Sequence, residues 1–183
     1  MGLLESSMPK QGSRVMLFVA GPPTVGSGAI VQRPKKDSIR SHTDLLKGQA
    51  PLNKPATDFY RSLSDRAVAS SMIIDAFACS LDQVGTLELK GLISRSGGLI
   101  VLADSFGQSV FRESLRRVFS RLPDPTSGAA SGPLLMGFGG QIEVLHSRDF
   151  KISGAIGSCA SLKKTGPTVS ESEVGIGLVT WLL

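Results

Sequence analysis

Residues 71–80, SMIIDAFACS, form a nearly unbroken apolar run, and their reading decides the fold. A short run of this kind is a strand buried on both faces. Just upstream, in 55–70 (PATDFYRSLSDRAVAS), Ala56, Phe59, Tyr60, Leu63 and Ala67 recur at i, i+3, i+4, i+7 and i+11. That stripe predicts an amphipathic helix opened by Pro55 and packed on a sheet, with Asp58, Arg61, Asp65 and Arg66 left to solvent. Farther out, RVMLFVA (14–20) reads as a strand stopped by Gly21-Pro22-Pro23, and LIVLA (99–103) as another. Residues 87–94 suggest a short helix closed by Gly97-Gly98. A second strong helix is expected from just after Asp104 to about Leu122, with Phe111, Leu115, Val118 and Leu122 on its apolar side and Arg112, Glu113, Arg116 and Arg121 on the other. Alternating strands and helices predict an α/β fold with a parallel sheet flanked by helices.

The character changes at 123–133, PDPTSGAASGP, a Pro/Gly/Ser linker. Short pieces follow: LLMGFGG, QIEVLHS, DFKISGAIG, CASLKK and TVSESEVG. Their glycine punctuation, and the alternation of Ile142, Val144 and His146, suggest antiparallel β structure. The boundary falls near 125–131. A first unit over 1–125 is α/β, and a second over 126–183 is the linker and an incomplete antiparallel β-sandwich segment.

Composition narrows the function classes. The 183 residues carry 20 Lys+Arg and 15 Asp+Glu, a formal charge of +5, with 41% hydrophobic residues. This is no disordered tail, and the basic residues lack the interleaved aromatics of a nucleic-acid arm, so no nucleic-acid partner is expected. With only 5% aromatic residues the core is aliphatic. Cys79 and Cys159 lack both disulfide-scaffold and zinc spacing and read as reduced thiols of a cytosolic protein. His42 and His146 stand singly, as loop or strand residues. No apolar run reaches the roughly 20 residues of a membrane span, and no secretory signal is visible. Met1-Gly2-Leu3-Leu4-Glu5-Ser6 fits the formal pattern for N-myristoylation.

Three features invite a chemical reading. The loop GPPTVGSGAIV (21–31) has phosphate-loop spacing from Gly21 to Gly26, but Ser27 and Gly28 follow where a Gly-Lys-Ser/Thr ending is needed. The dinucleotide fingerprint also lacks its third glycine. Tight turns explain these glycines better, and a nucleotide-binding domain or enzyme using residues 21–28 is the alternative reading. Asp75, Asp82 and Asp104 fall on or near strand ends, yet Phe106 and Gln108 occupy the hydroxyl positions that a metal-dependent adhesion site requires. Ser105 with Gln108 instead suggests a capping box. No Gly-x-Ser-x-Gly elbow or assignable triad appears, which favours an interaction role over catalysis. The third feature is the basic stretch Arg33, Lys35, Lys36 and Arg40, followed by Lys47 and Lys54. It suits either a solvated loop or attraction to an anionic membrane or acidic partner.

Several stretches, taken in order, resemble the Sec-twenty-three family, the inner-shell subunit of the COPII coat. They are MLFVAGPPTVGSGAIV (16–31), IRSHTDL (39–45), FYRSLSDRA (59–67), IDAFACSLDQVGTLELK (74–90), SGGLIVLADSF (96–106), MGFGG (136–140) and FKISGAIGSCASLKKTGPTVSESEVGIG (150–177). The resemblance implies a partial von Willebrand A-like trunk leading into a β-sandwich. It implies a coat component in endoplasmic reticulum to Golgi transport, peripheral on the cytosolic face of the endoplasmic reticulum membrane and of COPII vesicles. Its partners would be a cargo-selecting coat subunit, a Sar-type small GTPase and an anionic membrane surface, with Arg33, Lys35, Lys36 and Arg40 facing membrane or partner.

The family's four-cysteine zinc finger lies upstream of the trunk and finds no counterpart before residue 14, so no cofactor is expected in this chain. The arginine that family members insert into the GTPase lies in a far-downstream gelsolin-like region. No arginine here matches it, so GTPase activation is not expected. On this reading the chain is a fragment, a truncated gene model or a shortened isoform. Its unpaired sheet edge would then make it marginally stable or aggregation-prone.

Overall fold

The computed structural model describes residues 1–9, 11–32, 39–126, 128–142, 144, 146–147, 149–150, 152, 155, 157–162 and 177–179. Its centre is strand β2, Met72–Cys79, all eight residues of which are buried. β1 (Ser13–Val19) lies parallel on one side of it, with Ser13 opposite Met72 and Val19 opposite Ala78. β3 (Ile100–Ala103) lies parallel on the other, from Ala76 opposite Ile100 to Cys79 opposite Ala103, giving the order β1-β2-β3.

Side chains alternate across the pleat, so β2 feeds two cores. Met72, Ile74 and Ala76 meet Ala56, Tyr60 and Ala67 of α3 (Asn53–Ala69) and Leu89, Leu92 and Ile93 of α4 (Thr86–Arg95). Phe77 and Cys79 face the opposite way, toward Phe111 and Val118 of α5 (Ser109–Val118). The stripe read from 55–70 is thus the buried face of α3. Pro55 sits inside its first turn, where a missing N–H leaves no helical bond unmade. The crossing into β3 depends on Gly98, because a Cβ there would lie 1.8 Å from the carbonyl oxygen of Ile74. Any side chain would push the incoming strand off β2.

Two short helices lie where the sequence reading placed none. α1 (Gly2–Ser7) sets Met1 and Leu4 against the first core. α2 (His42–Leu46) interrupts the stretch read as polar loop, making His42 a helical residue. It begins with a capping box, in which the Asp44 N–H donates to Ser41 Oγ while the Ser41 N–H donates to the Asp44 carboxylate.

α5 corrects two expectations. It starts one residue after Gln108, with no side-chain cap, because Gln108 turns back and its amide donates to Asp104 over 3.1 Å. Ser105 therefore closes a turn and caps nothing. At the other end α5 stops at Val118 and not near Leu122. Leu122 exchanges backbone hydrogen bonds with Pro133 (2.9 Å) and Gly132 (3.1 Å), the Leu135 N–H donates to the Ser120 carbonyl, and Arg121 bridges Leu134. This antiparallel pairing of residues 120–122 with 132–135 draws the chain out of the helix and brings Met136 to the second core.

β4 (Cys159–Ser161) and β5 (Gly177–Val179) pair antiparallel, Cys159 opposite Val179. No sandwich is seen among the described residues, and part of the sequence assigned to it, 163–176 included, lies outside them. The outer edge of β1 has no strand partner among the described residues, and Phe18 upon it is 52% exposed.

Candidate functional site

The sequence directs attention to the carboxyl ends of the parallel strands, where α/β folds usually place their ligands. The glycine-rich loop leaving β1 is folded tightly upon itself. Gly26, at φ +87°, accepts from the Ala29 N–H, and the Pro23 carbonyl accepts from the N–H of Ile30 at 2.8 Å. Ile30 and Val31 are buried. Tyr60 of α3 donates its hydroxyl to the carbonyl of Gly28 at 2.9 Å. A Cβ on Gly28 would come within 2.6 Å of that hydroxyl and 2.9 Å of the Phe59 ring. The glycine is there to let the loop lie flat on α3. Burial, and secondarily the Glu88 carboxylate, raise the Tyr60 phenol above its ordinary pKa, so it stays a neutral donor.

Beyond Val31 lies the basic stretch. Arg33, Lys35 and Lys36 fall outside the described residues. Arg40 is described, and its guanidinium is held inside the fold. Nε and Nη2 reach the two carboxylate oxygens of Glu88 at 2.8 and 2.6 Å, and Nη1 reaches Gln83 at 3.0 Å. Asn53 at the start of α3 adds a third donor to Glu88 at 2.7 Å. Glu88 is 1% exposed and the Arg40 side chain 9%. The structure therefore separates Arg40 from a freely solvated basic set. Buried Ile30 and Val31 hold the chain on one side of the stretch, and the Arg40–Glu88 pair holds it on the other.

The three aspartates do not converge. Asp75 is fully buried in the middle of β2, not at its end, bonded to Arg14 of β1. Asp82 and Asp104 are exposed on different loops, the former with its N–H on Ser80 Oγ. No group of three His, Cys, Asp or Glu close enough to hold a metal occurs among the described residues. Cys79 and Cys159 are free thiols, and burial raises the Cys79 thiol above its ordinary value. No described helix is long and apolar enough to cross a membrane.

Sequence reasoning missed the Arg40–Glu88–Asn53 cluster and an aromatic group at the strand ends. Phe18 stacks on Phe77 with centroids 5.3 Å apart, and Phe111 meets Phe77 and Phe106 edge-on. The usable signal for the first was Glu88 among the apolar residues of α4, since a buried carboxylate demands a cation.

The family model described as the Sec23/Sec24 trunk domain matches residues 1–119, which hold all three parallel strands and α1 to α5. The chain belongs to the Sec23/Sec24 trunk family. It is 43% identical over 176 residues to Protein transport protein SEC23 F of Arabidopsis thaliana, a match covering 96% of this chain and 22% of that protein. This trunk chain thus spans about a fifth of the length of that relative. Within the trunk match the glycine-rich loop, the Arg40–Glu88 pair and the Arg14–Asp75 pair are all parts of one packed α/β unit.

Proposed function

We propose that the chain serves the COPII coat in endoplasmic reticulum to Golgi transport as a binding surface and not as a catalyst. The observation that carries this reading is 43% identity across 96% of the chain to a protein whose name is that of a transport protein. The buried polar groups support it: Asp75, Glu88 and Tyr60 are each committed to a hydrogen-bonded partner within the fold. Surface complementarity then remains as the means of action. The partners are a cargo-selecting coat subunit, a Sar-type small GTPase and the anionic cytosolic face of the endoplasmic reticulum membrane. Arg33, Lys35 and Lys36 supply charge to the membrane contact, on the order of 1 kcal/mol each before salt screening. Arg40 contributes by fixing the base of that stretch.

Vesicle flotation tests the membrane contact. Lys35→Glu with Lys36→Glu is expected to reduce recovery on phosphatidylserine-containing vesicles at low salt, and unchanged recovery would remove the stretch from the contact. Co-precipitation with the cargo-selecting subunit tests the coat reading directly. A titration with nucleotide is expected to show no saturable binding. Tight phosphate-dependent binding at residues 21–28 would overturn the proposal.

A further inference from the structure

We infer that the outer face of α5 is a docking strip for an extended acidic segment of a partner protein. The inner face of this helix is committed to the second core through Phe111 and Val118. The outer face carries Arg112, Arg116 and Arg117, all exposed. Among the described residues Arg116 has only a surface ion pair with Glu113 at 3.3 Å, and Arg112 and Arg117 make none. A solvated pair of that kind contributes little and yields readily to a better ligand.

The choice of cation carries information. No lysine lies between Lys90 and Lys151, so every Lys or Arg in this stretch of the chain is an arginine. Guanidinium forks grip carboxylates in two-bond geometry, which a point-charge ammonium does not reproduce. Arg112 and Arg116 are one helical turn apart, which sets them about 6 Å from each other. Same-side residues of an extended chain repeat at about 6.8 Å. Two carboxylates spaced two residues apart on a strand-like segment therefore match the two forks. Phe119 follows at the end of the helix, 51% exposed and three residues beyond Arg116, so an apolar residue of the ligand has a place beside the charges. Glu113 stands within the arginine face, which disfavours a broad anionic sheet such as a bilayer and favours a narrow segment that passes it.

The test is fluorescence anisotropy of a labelled peptide of alternating Glu and Leu, titrated with the full chain at low salt. Saturable binding is expected. Arg112→Glu with Arg116→Glu should weaken it at least tenfold, and Arg112→Lys with Arg116→Lys severalfold, through loss of the two-bond grip. Arg61→Glu, the same change of charge on α3, should leave it unaltered. Should the double reversal fail to fold by circular dichroism, Arg112→Gln alone should still weaken binding. Equal affinity in folded reversal variants, or an equal loss with Arg61→Glu, overturns the inference. Binding to phosphatidylserine vesicles that needs Arg112 and Arg116 while the peptide fails to bind also overturns it.

Discussion

The carboxylate of Asp75, in the middle of β2, takes Nε and Nη2 of Arg14 on its two oxygens, and the backbone N–H of Leu99 donates to it at 2.8 Å. One buried side chain thus ties β1 to β2 and fixes the point where the chain turns into β3. Both partners are almost wholly buried, at 5% and 0% side-chain exposure. Removing one member leaves an uncompensated buried charge, a loss of about 3–5 kcal/mol. Asp75→Ala should destabilise by that amount in urea unfolding. Arg14→Met combined with Asp75→Leu should cost less than Asp75→Ala alone, because no charge is stranded.

The second buried pair has a local consequence. Among the described residues Arg40→Ala leaves Glu88 with Asn53 as its remaining side-chain donor, and a loss of about 3–5 kcal/mol is expected. It should also release the basic stretch, so trypsin should cut at Lys35 and Lys36 faster than in Arg61→Ala. Equal cleavage rates in the two variants would show that Arg40 does not hold this stretch.

Gly28→Ala drives a methyl group into the Tyr60 hydroxyl and the Phe59 ring. Overpacking of this kind costs about 1–3 kcal/mol. Tyr60→Phe removes the hydroxyl at the closest contact, so the double variant should lose less stability than the two single losses summed, as read in thermal melts.

Ser64 sits in α3 at 0% exposure, and among the described residues its hydroxyl oxygen has no hydrogen-bond partner. A buried unsatisfied hydroxyl costs about 1–3 kcal/mol. Ser64→Ala should therefore raise the melting temperature, in contrast to most core substitutions. A lowered melting temperature would show that this hydroxyl is satisfied in solution.

Acid should loosen the docking of α1. The hydrogen bond from Arg66, more than its charge, holds the Glu5 carboxyl below its ordinary value of 4.5. A carboxylate whose folded pKa is depressed stabilises the native state above the unfolded value, and that stability is lost as pH falls through the folded one. Melting temperature should accordingly fall more steeply below about pH 4.5 in the parent chain than in Glu5→Gln. Parallel curves would show that this contact contributes nothing.

Much of the fold was legible because its signals are local. The apolar run at 71–80 had to be a strand buried on both faces, and the stripe from Ala56 to Ala67 had to face it. The limits of α5 were not legible. Its helical pattern continues through Leu122, but the backbone of residues 120–122 finds partners at 132–135, and those hydrogen bonds outweigh one more turn of helix. α2 was hidden because five residues carry too little periodicity, although Ser41 and Asp44 had the spacing of its cap.

The candidate site divides in the same way. Sequence located the basic stretch and showed that the glycine-rich loop lacks a phosphate loop's lysine. It placed Arg40 with the other cations, and only the tertiary structure put Arg40 on Glu88, 48 residues away, as it put Arg14 on Asp75 across 61. Periodicity reports which face of an element is apolar, because neighbours along the chain share a backbone geometry. Which charge meets which across the sheet depends on register and on the path of the intervening loops, and these are set only when the elements pack.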